Sequence, residues 1–308
     1  MITRLRYILL KWLLATTARL PFWMLYRIAD IIYIIIYHFA KYRREIVTKN
    51  IAESFPELSG KERNKIMRGF YRHFADYIVE TIKINHISDK QMRRHMTFEN
   101  IELVDSLIDK GRSVVAYFSH YGNWEWVTSI TLWSRHAING TAQYCQVYRP
   151  LKDRWFDNYF LKLRSRFNSI SIKKRSVLRE LITLRRNNTP SVTGFMSDQK
   201  PSGGDLSHVV KFLNHPTAVI TGTETLARKL DMAVVYIDVE KIKRGHYHIT
   251  LRLIAEDCST MPELSVTDTY TRMLEHTIRR NPDIWLWSHN RWKNKVLFPS
   301  NDTRPNDH

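Results

Sequence analysis

Residues 113–118 read Ser-Val-Val-Ala-Tyr-Phe, and residues 119–125 that follow read Ser-His-Tyr-Gly-Asn-Trp-Glu. A short β-branched and aromatic run with no charge is the composition of a strand buried on both faces. Gly122 permits a sharp bend and Asn123 suits a helix N-cap, so the expected order is strand, turn, helix, with the helix running from Asn123 to about Arg135. The same alternation continues downstream. Strand-like runs cover Thr141–Val147, Ser191–Met196, Ala233–Val239 and His246–Ile254. Helical spacing covers Lys152–Phe167, Val177–Arg186, Ala218–Leu230 and Val266–Arg280. Upstream, Ile66, Phe70, Phe74, Tyr77, Ile78 and Ile82 recur at helical spacing within Lys61–Ile84, and Asn100 and Gly111 bracket a helix through Leu103 and Leu107. Strands separated by helices of this length predict an α/β fold with a mostly parallel central sheet flanked by helices, whose functional groups gather at the carboxyl ends of the strands.

The chain has 308 residues, 48 Lys and Arg against 30 Asp and Glu, a net charge of +18 and 12% aromatic residues. Its mean hydropathy of −0.37 is too polar for a polytopic membrane protein, and its aromatic content is too high for a disordered one. Two cysteines, Cys145 and Cys258, exclude a disulfide scaffold and a zinc ribbon. No phosphate-binding glycine motif of the dinucleotide or P-loop type occurs. The positive excess calls for a polyanionic partner.

From Leu5 to Phe39 the chain is rich in large apolar and aromatic residues, among them Trp12, Phe22, Trp23, Tyr26, Tyr33 and Tyr37, flanked by Arg4 and Arg6 and by Lys41, Arg43 and Arg44. No signal-peptidase pattern follows it. The run Phe22–Phe39 approaches the roughly 20 residues of a bilayer span, interrupted by Arg27 and Asp30. Both a spanning helix and an in-plane helix fit; either gives N-terminal membrane-anchoring helices with the basic flanks on the cytoplasmic side. The expected organisation is an anchor at 1–42, a catalytic domain at 43–298 and a polar tail at 299–308, with a mobile loop at Lys200–Ser207.

His120 and Glu125 lie five positions apart, about 140° out of phase on a continuous helix, so they converge only if His120 occupies the turn and Glu125 the first helical turn. A carboxylate bonded to one imidazole nitrogen fixes the tautomer and makes the other nitrogen a base. The expectation is that Glu125 orients His120.

In this setting the sequence resembles the late acyltransferases of lipid A biosynthesis, within the wider His-x4-Asp/Glu glycerolipid acyltransferases. The resemblance rests on His120 to Glu125, Tyr148-Arg149-Pro150, Asp198-Gln199, Val210-Lys211-Phe212-Leu213 with Thr217, Gly222, Leu226 and Ala227, and Pro282, Trp285, Trp287, His289, Arg291, Trp292 and Lys293 in family order. It implies fatty acyl transfer from an acyl carrier protein thioester to a hydroxyl of a phosphorylated glycolipid, a lipid A precursor, at the cytoplasmic face of the inner membrane. It implies neither metal nor organic cofactor. Acidic carrier, phosphorylated acceptor and anionic membrane lipid would all suit the charge of +18.

In that reading His120 is the general base and Glu125 its orienting acid. Arg149 either pairs with Glu125 or binds a substrate anion, and Asp198 and Gln199 line the same cleft. Asn123 is placed on the substrate side of the turn. Arg291 and Lys293, among tryptophans, are candidates for a membrane-edge or phosphate grip, and Arg164, Arg166, Lys173, Lys174 and Arg175 for a carrier or phosphate surface. Cys145 reads as a core residue, and without a Gly-x-Ser-x-Gly elbow direct attack is expected, with no acyl-enzyme. The competing readings are acylation of another glycolipid or an amino-acid lipid, and a membrane-tethered polyanion-binding module. No nucleic-acid recognition motif appears.

Overall fold

The structure, a computed structural model, describes residues 2–201, 206, 208–293 and 296–297; most of the Lys200–Ser207 loop and the whole 299–308 tail lie outside them. Helices α1 (Ile2–Arg19), α2 (Phe22–Ile34), α3 (Arg44–Ser54), α4 (Gly60–Lys83) and α5 (Asp89–His95) precede the sheet. Strand β1 (Met96–Glu99) and helix α6 (Ile101–Asp109) lead into β2 (Val114–Phe118). There follow α7 (Arg135–Ile138), β3 (Gln143–Tyr148), α8 (Arg154–Arg164), β4 (Ile170–Lys173), α9 (Val177–Arg186) and β5 (Ser191–Met196). A small hairpin, β6 (Val209–Phe212) and β7 (His215–Ala218), then α10 (Gly222–Lys229), β8 (Ala233–Lys243), β9 (His246–Ala255) and α11 (Ser265–Arg280) complete the order.

Seven strands form one sheet in the order β1-β9-β8-β2-β5-β3-β4, and only β8 against β9 is antiparallel. Two residues join β8 to β9, Arg244 and Gly245, with Gly245 at φ +70°, so no crossover helix fits and a hairpin is the only connection. The fold is therefore α/β with a mostly parallel sheet covered by helices, as the alternation predicts. Every residue of β2 is buried, which fits its place between β8 and β5.

Three local expectations need correction. The helix expected from Asn123 to Arg135 is a 3₁₀ helix, Trp126–Leu132, preceded by turns; Val127, Thr128, Ile130 and Thr131 are β-branched and weaken the α form. The run Ala218–Leu230 is a strand end followed by α10, and β1, β4 and the β6–β7 hairpin were not foreseen. Short strands of four residues leave too little alternation to read.

Pro21 separates α1 from α2, because proline fixes the bend and donates no hydrogen bond. α2 continues as a π-turn, Ile35–Phe39, and lies along α4, where Leu25 and Ala29 pack on Ala75 and Val79. Its other face is exposed: Trp23, Ile31, Ile34, Ile35 and Phe39 join Ile8, Leu9, Trp12 and Leu13 of α1 in facing outward. The 18 residues Phe22–Phe39 are long and apolar enough to cross a membrane, and 17% of that segment is buried.

Candidate active site

β2 and β5 are parallel neighbours with Phe118 paired to Met196. His120 stands two residues beyond Phe118, and Asp198 two residues beyond Met196. Equal offsets from a common register bring the two side chains together across a strand spacing of about 4.8 Å. His120 Nδ1 lies 2.8 Å from Asp198 Oδ1, and the His120 backbone N–H donates to Oδ2 at 3.0 Å. The indole of Trp285 donates to Oδ2 at 3.1 Å. Burial pushes the Asp198 carboxyl up, but the neighbouring His120 charge, the two His120 hydrogen bonds and the Trp285 indole outweigh it and hold the group below its ordinary value. An ionised Asp198 can only accept, so Nδ1 carries the proton and Nε2 is left as the unprotonated, accepting nitrogen. The Gln199 amide nitrogen lies 3.3 Å from Nε2. Asp198 is 2% exposed at its side chain, whereas 17% of the His120 side chain remains open to solvent.

The turn that carries His120 is tied on every side. Gly122 has φ +60°, and a Cβ there would meet Val239 Cγ1 at 3.0 Å, so only glycine suits the position. The Gly122 N–H donates to Ile284 O, and the Leu286 N–H donates to His120 O. Tyr270 Oη donates to Phe118 O at 3.0 Å and fixes the strand end below. Asn123 Oδ1 accepts from the Trp126 N–H at 3.2 Å, as a cap should.

Glu125 does not orient His120. It is buried, and both its oxygens are taken by Arg164: Nε to Oε2 at 2.8 Å and Nη2 to Oε1 at 2.6 Å. Among the described residues the imidazole of His120 donates from Nδ1 to Asp198 and accepts at Nε2 from the Gln199 amide. The expected pairing of Glu125 with His120 is thus corrected to Asp198 with His120. The 3₁₀ start turns Glu125 toward α8 while His120 faces β5. Burial lowers the Arg164 pKa, but its bonds to Glu125 more than offset this and raise it overall.

Other candidates separate in the same way. Arg149 follows β3 and is exposed, and the partner expected of it, Glu125, belongs to Arg164. Asn123 is fully buried with both ends of its amide engaged, so it faces no substrate. Arg291 is buried and donates to Ala218 O at 2.6 Å, so it is no surface grip; burial pushes its pKa down to about 10. Lys293 is exposed. Arg164 is drawn inward by Glu125 and so leaves the expected basic surface, whereas Arg166 stays partly exposed and is engaged by Ile87 O and Asp89. Trp285 and Trp287 are core residues. Cys145 and Cys258 are buried thiols, pushed up to about 12 and about 11 by burial.

An imidazole aimed by a buried carboxylate at the ends of two central parallel strands is equipped to take a proton from a hydroxyl. The family model of the bacterial lipid A biosynthesis acyltransferases matches residues 2–294. The chain belongs to that family. Two curated relatives, the lipid A biosynthesis palmitoleoyltransferase of Escherichia coli (strain K12) and a lipid A biosynthesis acyltransferase of Shigella flexneri, are each 23% identical over 265 residues, 85% of this chain and 82% of theirs. As a lipid A biosynthesis acyltransferase it is an enzyme of acyl transfer, so the reaction to be accounted for brings an acyl carbonyl and an acceptor together.

Sequence reasoning placed Asp198 in the cleft but not on His120. The available signal was the repeated pattern Phe118-Ser119-His120 and Met196-Ser197-Asp198: two buried runs, each followed by serine and then by the polar residue. Arg164 carried no such signal, since its partner depends on how α8 folds back.

Proposed function

We propose that this acyltransferase moves a fatty acyl group from an acyl carrier protein thioester to a hydroxyl of a lipid A precursor, with His120 as general base and Asp198 as the residue that orients it. His120 Nε2 removes the hydroxyl proton as the oxygen attacks the thioester carbonyl carbon. The tetrahedral intermediate collapses with cleavage of the carbon–sulfur bond, and the imidazolium returns the proton to the departing thiolate. Acceptor oxygen, acyl carbon and leaving sulfur are then all accounted for without a covalent enzyme intermediate. The buried, high-pKa thiols support direct attack, because thiolate rather than thiol is the nucleophile. The observation that carries the reading is the 2.8 Å contact of His120 Nδ1 with Asp198, which leaves Nε2 basic on a partly open ring.

Attachment to the inner membrane, on its cytoplasmic face, follows the same reading. The outward apolar residues of α1 and α2 with Arg6, Lys11, Lys41 and Arg43 around them suit the headgroup boundary of an anionic bilayer. An in-plane position is favoured. α2 is fastened to the body by Leu25 and Ala29 against α4 and by the Arg244 bond to Asp30 at 2.7 Å, so a spanning α2 would draw the charged flank of α4 into hydrocarbon.

Purified protein in mixed micelles with acyl carrier thioester and lipid A precursor provides the test. Transfer by the wild type, its loss in His120→Ala and its retention in Cys145→Ala are expected. Undiminished transfer by His120→Ala overturns the base, and an acylated protein trapped on a kinetically competent timescale overturns direct attack.

A further inference from the structure

Behind the turn that presents His120, α4 inserts a carboxylate with no exposed surface. Glu80 Oε2 accepts from Asn123 Nδ2 at 2.8 Å and from Tyr247 Oη at 2.9 Å, and Oε1 accepts from Tyr26 Oη at 3.1 Å. No cation bonds it directly among the described residues. Its backbone oxygen receives the Trp126 indole N–H at 3.1 Å, so the same residue holds both the turn and the 3₁₀ helix that follows. Two turns earlier on the same face of α4, His73 donates from Nε2 to Gly122 O at 3.1 Å, and its Nδ1 accepts from Lys241 Nζ at 3.3 Å. Two side chains of α4 thus grip consecutive residues of the turn, Gly122 and Asn123.

A buried carboxylate satisfied only by neutral donors is costly, and an apolar residue would pack there more favourably. Burial raises the Glu80 pKa, as expected of such a site. What a carboxylate supplies that an apolar residue cannot is direction. Three donors from α2, β9 and the turn converge on two oxygens, and Asn123 cannot move without losing either Glu80 or its cap to Trp126. We infer that Glu80 is a positioning residue for acyl transfer, fixing through Asn123 the turn that aims His120 at its substrate. The inference rests on His120 being the base.

The bond has a polarity, which allows a reciprocal test. Asn123→Asp sets a second buried carboxylate against Glu80, so that contact must break, whereas Glu80→Gln alone can keep its oxygen on Asn123 and turn its N–H₂ to the Tyr26 hydroxyl, which then accepts. In the Glu80→Gln, Asn123→Asp pair, the amide introduced on α4 donates where the carboxylate accepted, and the carboxylate introduced in the turn still accepts from the Trp126 N–H. Expected in the micelle assay are a fall in kcat of at least tenfold for Asn123→Asp with KM within twofold of wild type, and recovery to within threefold in the double variant. An Asn123→Asp kcat within threefold of wild type, a change confined to KM, or a double variant no better than the single one overturns the inference. A second readout does not need turnover. The Nδ1 proton resonance of His120, assigned by its absence in His120→Gln, should shift in Asn123→Asp and return in the double variant; an unmoved resonance overturns the positioning role. Failure of wild-type transfer with the resonance behaving as expected would instead sink the acyl-transfer reading and leave the brace standing. If Asn123→Asp does not fold, Asn123→Ala removes the same bond without adding a charge, and an unchanged kcat in that folded variant overturns the inference.

Discussion

Two acids flank the His120 turn, and they serve opposite ends of it. On the β5 side, Asp198 meets an imidazole that is partly open, and its carboxylate is held below the ordinary range by His120 and Trp285 despite burial. On the α8 side, Glu125 meets Arg164 in a closed, bidentate pair. Both are carboxylates with basic partners, yet only the first has a partner with an unprotonated nitrogen, held by the Gln199 amide until a hydroxyl displaces it. Five-residue spacing along the chain is therefore a weaker guide to who touches whom than equal offset on neighbouring parallel strands.

The largest effect should come from the open side. His120→Ala is expected to lower kcat by about a thousandfold, the range of a lost general base, and also to lower the melting temperature, because it removes one of the partners of the buried Asp198. Asp198→Asn keeps the shape but removes the charge that stabilises the imidazolium, and a loss of about a hundredfold in kcat is expected, with KM less affected. Steady-state kinetics of both variants checks the order. An Asp198→Asn enzyme at wild-type kcat would deny the open side its acid and leave the two carboxylates functionally alike.

The closed side should respond in stability first. Glu125→Gln leaves Arg164 buried without its counter-charge, a change that costs about 3 kcal/mol, read as a melting temperature lower by several degrees, with kcat down about tenfold as the turn loosens. Replacing both partners by methionine removes charge and counter-charge together, so the double variant should recover most of the stability and part of the activity. Thermal melts and kinetics on the two variants distinguish the cases. Glu125→Gln with normal melting but activity as low as His120→Ala would make Glu125 part of the chemistry after all.

Much of this arrangement was legible in the sequence. The buried strand Val114–Phe118, the Gly122 bend and the strand Ser191–Met196 are strong local signals, because burial on both faces demands continuous apolar runs and a left-handed turn demands glycine. Asp198 in the cleft follows from its place after a strand. The partner choice did not follow. Glu125 points by the sense of a 3₁₀ turn rather than an α-helical one, and whether that turn forms depends on Trp126 packing under Glu80, 46 residues away in sequence. Arg291 and the C-terminal tryptophans misled for a related reason: aromatic and basic residues interleave at membrane edges and in cores alike, and only the fold shows that Trp285 points its indole at Asp198.

The smallest expected effect distinguishes the front and rear of the turn by pH. His289 lies on the front, near enough to feel Asp198 and His120, and His73 grips Gly122 from the rear. Burial lowers both, His289 to about 4 and His73 well below its ordinary value, so both are neutral in the folded chain near neutrality. An unfolded histidine titrates near 6.5. As pH falls below that value the unfolded chain takes up protons that the folded chain refuses, so the stability these residues contribute is present above about pH 6.5 and is lost as pH falls toward 4. For His289 the loss is complete once the pH passes its folded value. For His73 it continues to lower pH. His289→Asn should therefore flatten the decline in melting temperature between pH 6.5 and 4 by a few degrees, while the part due to His73 persists. Melting curves of wild type and His289→Asn at pH 7.5, 5.5 and 4.5 provide the measurement. Parallel declines in the two proteins would mean that the front of the turn is wet enough to protonate His289 without cost, and that the rear alone resists acid.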